Sequence, residues 1–142
     1  MAYSISEVAE MMNLSIYTLR YYEKAGLLPF VERTPSGTRR FKDSDIDALK
    51  IIECLKVSGM PLKDIKNFID WCAKGDDTLQ QRYDMFLERK AVVDAQIEEL
   101  KRMREIISHK CWYYKTAIEA GTEAIHKADV TCNQTKNHRN NK

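Results

Sequence analysis

Cysteine and histidine are the residues of this chain that could ligate a metal or act as nucleophiles, and their spacing limits both roles. The four cysteines have 17, 38 and 20 residues between them, so none forms a Cys-x-x-Cys pair, and the three histidines lack the His-x3-His spacing of zinc ligands. These residues are Cys54, Cys72, Cys111, Cys132, His109, His126 and His138. The pattern predicts no metal site and no cofactor. No histidine pairs obviously with a cysteine as its base, which disfavours a thiol enzyme.

A second set of residues is suited to binding nucleic acid. The run SIYTLRYYE, residues 15–23, offers a cap hydroxyl and free backbone amides at its start. Arg20 and Tyr21 follow at its middle, where a guanidinium can grip a guanine edge or a phosphate and a phenol can donate to a phosphate. Between Ser15 and Lys42 the chain has six basic and two acidic residues, whereas its whole net charge is only +2. This local excess predicts a DNA-binding face, which a purely structural coiled-coil adaptor would leave unexplained.

Helices must position these residues. The 142 residues, 44% hydrophobic and 31% charged, predict one globular domain or a small domain with an appended element. Ser6 is expected to cap a helix through about Met12, and Ser15 to cap a second helix that runs from Ile16 to Ala25 and is closed by Gly26. Two short helices joined by a three-residue turn are a helix-turn-helix.

The next segments alternate between turns and helices. Residues 29–43 contain two prolines, a glycine and four basic residues, which predicts a loop or small hairpin with a basic tip. Asp43 or Ser44 should cap a helix to about Ser58. Pro61 opens another helix through about Cys72, and residues 75–78 form the next break. The first domain is therefore expected over residues 1–75, as a helix-turn-helix followed by a loop or hairpin and two further helices.

A seven-residue repeat follows. Leu79, Phe86, Val93, Leu100, Ile107 and Tyr114 recur every seven residues, with Tyr83, Lys90, Ile97, Arg104 and Cys111 interleaved. A helix of about 37 residues is roughly 55 Å long, so its apolar stripe needs a partner chain, most simply a second copy. We predict a dimerisation helix over residues 76–117 and a short, partly disordered C-terminal segment over 118–142. No apolar run is long enough for a membrane span, so the chain is expected in the cytoplasm.

The run SISEVAEMMNLSIYTLRYYEKAGLLPF, followed by RTPSGTRRF and VSGMPLKDIK, resembles the N-terminal DNA-binding domain of the MerR family of bacterial transcription regulators. The resemblance implies a mainly α fold, a winged helix-turn-helix followed by a long antiparallel coiled-coil helix. It also implies a homodimer that binds palindromic promoter DNA, twists and bends it when an effector arrives, and acts on RNA polymerase at the promoter. The DNA-binding positions implied are Ser15, Tyr17, Thr18, Arg20, Tyr21, Arg39, Arg40, Met60, Pro61 and Leu62.

The resemblance also bears on the effector. Cys54 lies in the predicted helix 44–58, and a lone cysteine there resembles the sensor of the family branch that responds to aldehydes, nitric oxide and other electrophiles. The alternative for Cys54 is a small buried hydrophobe among Leu49, Ile52 and Leu55. Cys72 is expected in the core, and Cys111 in the core or at the dimer interface. Sensing of a metal or a small ligand by the C-terminal segment around Cys111 is the competing hypothesis.

Overall fold

The computed structural model describes residues 1–127, which form two compact units, Met1–Val93 and a second that begins at Asp94. The described part is mainly helical, as predicted. Its helices are α1 (Ile5–Met12), α2 (Ile16–Lys24), α3 (Asp43–Val57), α4 (Leu62–Lys74) and α5 (Leu79–Ala120). A 3-10 turn at Asp76–Thr78 lies between α4 and α5, and the strands are β1 (Ala2–Tyr3), β2 (Glu32–Arg33) and β3 (Arg39–Lys42).

The helix-turn-helix has the predicted three-residue turn, but its first cap is different. Ser4, not Ser6, caps α1, because Ser4 and Glu7 form a reciprocal capping box in which each side chain accepts from the other's backbone N–H. Asn13 turns the chain with a left-handed backbone at φ +52°. Ser15 caps α2 as predicted, with its Oγ accepting from the Thr18 N–H at 3.0 Å. Gly26 follows α2 at φ +82°, the conformation that favours glycine.

The hairpin after α2 is a wing, and it belongs to a three-stranded sheet of order β1-β3-β2. Strand β1 pairs antiparallel with β3, a pairing that was not predicted because a two-residue strand has no visible period. The predicted basic tip is wrong: the tip is the uncharged run Thr34–Thr38, and the basic side chains lie on the two strands.

The core of the first unit joins the helix-turn-helix to the wing and to α3 and α4. Its fully buried side chains come from all of these elements: Val8, Leu19, Tyr22, Leu27, Phe41, Leu49, Ile52 and Ile65. The first turns of α5 close one side, where Met85 packs on the core and the Phe86 ring meets Phe68 edge to face at 5.3 Å. The helix-turn-helix and the wing therefore share one continuous apolar core.

The second unit presents apolar side chains to solvent along its helix. Leu100 and Ile107 of the predicted repeat are 61% and 63% exposed within the single chain. After Ala120 the chain turns at Gly121 and folds back, so that Ala117 and His126 become buried. Within residues 1–127 no helix has the length and hydropathy needed to cross a membrane. The part of the tail predicted to be disordered, 129–142, lies outside the described residues.

Candidate nucleic-acid interface

One face of α2 is directed to solvent and carries the side chains predicted to read DNA. Tyr17 is 79% exposed, Tyr21 is half-exposed, and Arg20 is exposed between them. The opposite face holds Leu19 and Tyr22 in the core. The periodicity of the helix thus separates the side chains that anchor α2 from those that can reach a groove.

The first turn of α2 carries two hydroxyl groups, which are held by hydrogen bonds. The Ser15 and Thr18 hydroxyls lie 2.8 Å apart and share a hydrogen bond, while Ser15 Oγ also accepts from the Thr18 backbone. Thr18 is only partly exposed. Both hydroxyls are thereby held in one arrangement at the helix N-terminus, where backbone N–H groups favour an anion such as a phosphate.

Alternation along β3 separates the two arginines assigned to the wing. Arg39 is half-buried on the side of the strand that carries the buried Phe41, whereas Arg40 is exposed on the other side. Arg40 forms no ion pair within residues 1–127. Lys42 shares its side of the strand but pairs with Glu32 at 3.2 Å. Of the three arginines on the wing strands, only Arg40 presents a charge to solvent without an ion pair in the described residues.

Glu23, near the end of α2, holds both remaining wing arginines. Its Oε1 accepts from Arg33 Nη2 at 2.7 Å, and its Oε2 accepts from Arg39 Nε. Arg33 also donates through Nη1 to the Gly37 carbonyl at the wing tip, at 2.9 Å. Burial opposes ionisation of Glu23, but the bonds from Arg39 and Arg33 outweigh it and lower the pKa of this carboxyl. Nothing in the spacing of Glu23, Arg33 and Arg39 along the chain indicates this contact.

The turn between α3 and α4, which we call the second wing, holds three of the DNA-binding positions that the resemblance implies, and these three residues differ in exposure. Pro61 is exposed, Leu62 packs against the core, and Met60 is only 6% exposed. Any DNA contact at Met60 therefore belongs to its backbone rather than to its side chain. From α5, Arg89 Nη1 approaches the Ser58 carbonyl of this turn at 3.4 Å.

A hydrogen-bonded network ties α2 to α3 behind the exposed face. The buried Tyr22 hydroxyl donates to Glu53 Oε1 at 2.6 Å and accepts from Lys56 Nζ at 2.7 Å. Burial and the bond to Glu53 raise the pKa of Tyr22, and the bond to the Tyr22 oxygen raises the pKa of Lys56. Tyrosine therefore stays protonated and lysine charged at neutral pH. Glu53 and Lys56 lie 31 and 34 positions from Tyr22 along the chain, so no local pattern predicts these two partners.

Tyr22→Phe should lower the free energy of unfolding by about 1–2 kcal/mol, because it removes one hydroxyl that bonds two charged groups, both of which can still reach water. Urea unfolding measures this loss. Tyr21→Phe is the matched control, since Tyr21 is half-exposed, and it should change stability by only a few tenths of a kcal/mol. Equal stability of the two variants would mean that the network contributes nothing to the fold.

The exposure of the cysteines within residues 1–127 tests the interpretations given for them. Cys54 and Cys72 are both exposed, so the interpretations of Cys54 as a buried hydrophobe and of Cys72 as a core residue are wrong. On α3 and α4 the buried positions next to them are taken by Ile52, Leu55 and Ile69. Cys111 is exposed within the single chain. Over residues 1–127 no three His, Cys, Asp or Glu side chains cluster closely enough to hold a metal ion.

A helix-turn-helix whose second helix presents Arg20 and two tyrosines, beside a basic β-hairpin packed on the same core, defines a winged helix-turn-helix DNA-binding protein. Family models agree: one for the MerR HTH family regulatory protein matches residues 3–70, and one for MerR, DNA binding, matches residues 46–110. The chain belongs to the MerR family of DNA-binding transcription regulators.

Individual relatives extend the similarity along the chain. An uncharacterized HTH-type transcriptional regulator of Haemophilus influenzae is 43% identical over 122 residues, 86% of this chain and 90% of that protein. The structure of HiNmlR, a MerR family regulator lacking the sensor domain and bound to promoter DNA, is similar with a TM-score of 0.83 and 42% identity, over 88% of this chain and 99% of that one.

A MerR family regulator from Bacillus thuringiensis is similar with a TM-score of 0.74 and 39% identity, over 78% of this chain and 97% of that one. These relatives are transcription regulators and not enzymes, and so is this chain.

Proposed function

We propose that the protein is a homodimer that binds a palindromic promoter site and distorts the DNA when an effector arrives, with RNA polymerase as the partner that senses the distortion. The exposed apolar repeat on α5 is the observation that carries this proposal. A helix with Leu100 and Ile107 mostly exposed has no partner for these side chains among residues 1–127, and a two-fold copy would supply one. Two copies would then present two α2 helices, the recognition helices, to the two half-sites of the palindrome.

The proposed contacts on each half-site follow from exposure. Tyr17, Arg20 and Tyr21 reach into the major groove or to its phosphates, and Ser15 and Thr18 place the helix N-terminus against a phosphate. On the wing, Arg40 supplies the phosphate contact, while Arg39 acts through its bond to Glu23. In the second wing Pro61 is exposed, and the backbone of Met60 and Leu62 meets the sugar-phosphate chain. The similarity to HiNmlR, which is bound to promoter DNA in its structure, supports DNA binding by this chain.

Distortion of the site is energetically accessible to such a dimer. Bending a site of 20–30 base pairs costs of order 1–6 kcal/mol, which added phosphate contacts at both ends can offset. Contacts concentrated on the recognition helix and on the two wings grip the DNA at separate points. The DNA between these contact points can then be twisted even though the protein contacts no bases in that stretch.

Arg20→Ala and Arg40→Ala should each weaken operator binding about tenfold or more without dissociating the dimer, since each removes a phosphate or base contact from both half-sites. Gel-shift titrations at two salt concentrations measure the effect. The slope of the logarithm of affinity against the logarithm of salt concentration should become shallower by about one to two, because each variant removes one positive charge from each half-site. Lys101→Ala on α5 is the control for charge loss, because Lys101 pairs with Glu98 on its own helix. If both arginine variants bind like the Lys101 variant, this face does not bind DNA.

For the effector we propose a reactive electrophile sensed at Cys54. The thiol is exposed, and its residue lies directly beside Glu53, which bonds the recognition-helix tyrosine. The Cys54 carbonyl accepts from the Ser58 N–H at 3.1 Å, at the start of the turn that leads to Pro61. A modified Cys54 would therefore act on α3 between two elements that we assign to DNA.

The alternative is a metal or small ligand sensed by the C-terminal segment around Cys111. A cluster of rings in the second unit favours it: His126 stacks on Tyr113 at 4.1 Å between ring centroids, and Trp112 lies 5.1 Å from His126. The His126 ring also contacts the Thr116 hydroxyl at 2.8 Å. Such a cluster could hold an aromatic or cationic ligand by stacking.

A further inference from the structure

We infer that Glu23 fixes the wing against the recognition helix and thereby sets how strongly the protein prefers its operator over other DNA. The inference rests on the proposed DNA surface. It assigns Glu23, an acidic residue on a face expected to meet phosphates, as a positioning residue whose partners are Arg33 and Arg39 rather than DNA.

The strand register of the hairpin places two positive charges opposite each other. Arg33 and Arg39 lie directly opposite each other on β2 and β3, and cross-strand side chains project from the same face of a sheet. Two like charges in that position repel and destabilise the hairpin. The Glu23 carboxylate takes one bond from each arginine, so it balances one of the two positive charges and attaches both side chains to α2.

The attachment reaches the end of the wing. Arg33 uses one nitrogen for Glu23 and the other for the Gly37 carbonyl, so α2, the carboxylate, the guanidinium and the wing tip form one chain of hydrogen bonds. The side chains of Glu23 and Arg39 are only 24% and 21% exposed, which limits screening by solvent. Strand β2 pairs with β3 through only two residues, Glu32 and Arg33, so it has little other pairing to hold its position.

A purely electrostatic role and a positioning role predict opposite signs. Removing a negative charge near phosphates raises affinity for any DNA, irrespective of sequence. Releasing the wing from α2 instead reduces binding to the operator, because the wing and the reading helix no longer fit the two contact points together. The affinity ratio between operator and non-operator DNA therefore distinguishes the two roles.

The test is Glu23→Gln in the full chain, with affinities for operator and for random-sequence DNA of equal length measured over a range of salt. We expect operator affinity to fall about tenfold while random-sequence affinity stays equal or rises, so that the ratio falls at least tenfold. Glu10→Gln, at an exposed position of α1, removes the same charge and should leave the ratio unchanged. Operator and random affinities that rise by the same factor in Glu23→Gln would overturn the inference.

Two further measurements separate positioning from a general loss of structure. In a double-mutant cycle, Arg39→Gln should add little to Glu23→Gln, because both break the same attachment; additive losses contradict it. Hydrogen exchange of the DNA-free protein should show faster exchange of the hairpin amides, residues 32–42, in Glu23→Gln than in Glu10→Gln, with unchanged protection in α3. Unchanged hairpin exchange overturns the inference even if the protein proves not to bind an operator, so the two failures are distinguishable.

Discussion

Ile97→Asp should convert the protein to monomers at micromolar concentration and reduce operator affinity by more than a hundredfold. Ile97 lies on the seam of the heptad repeat and is 44% exposed within the single chain. In a two-fold dimer the change places two charges in a dry interface, and an unpaired buried charge costs several kcal/mol. Sedimentation measures the dissociation, and a gel shift measures the loss of binding. Val93→Asp, one turn earlier on the seam, should act in the same direction.

The loss of DNA binding follows from the loss of the dimer. Two linked reading helices bind a palindrome with far higher affinity than one, because the second half-site is engaged at a high effective concentration. Ala95→Asp is the matched control, since position 95 lies outside both rows of the repeat and should remain in solvent. A wild-type chain that sediments as a monomer at micromolar concentration would contradict the homodimer itself, and an Ala95→Asp monomer would show that the repeat has been placed on the wrong face.

Local signals account for much of what could be predicted. Ser15 at a helix start and Gly26 after a helix end are marks that a few neighbouring residues define, and both lie where expected. The length of α5 followed from its repeat without glycine or proline, although the helix continues to Ala120 rather than ending near residue 117. Ser4 was missed although Glu7 stands three residues later, the spacing of a capping box, whereas Ser6 has Ala9 at that spacing and cannot form one.

Contacts between distant residues explain what could not be predicted. Tyr22 and Glu53 are 31 positions apart, and Glu23 and Arg39 are 16 apart, so no local pattern joins them. The assignment of Arg39 and Arg40 to the wing did not reveal which of them faces α2, because that depends on the register of β3. Cys72 was expected in the core, and the alternative interpretation of Cys54 placed it among apolar neighbours, yet a helix buries only one stripe and these thiols lie off it.

The exposure of Cys54 makes its chemistry testable. With an aldehyde or a nitrosating agent, we expect wild-type protein to change transcription from its cognate promoter about five- to thirtyfold, and Cys54→Ser to abolish the response. A shift of only 1–2 kcal/mol between two DNA-bound conformations gives a change of that size. A bulky or polar group on the thiol would disturb α3 where Glu53 and Lys56 hold Tyr22 of the recognition helix.

Serine is the suitable replacement because it keeps the size of the side chain while removing its nucleophilicity. Cys72→Ser and Cys111→Ser are the controls, as both thiols are also exposed in the described chain and should respond like wild type. If Cys54→Ser still responds and Cys111→Ser does not, sensing belongs to the C-terminal segment, and the electrophile branch is the wrong assignment. If all three variants respond like wild type, the effector is held without a covalent bond, and the stacked rings of Trp112, Tyr113 and His126 become the site to substitute next.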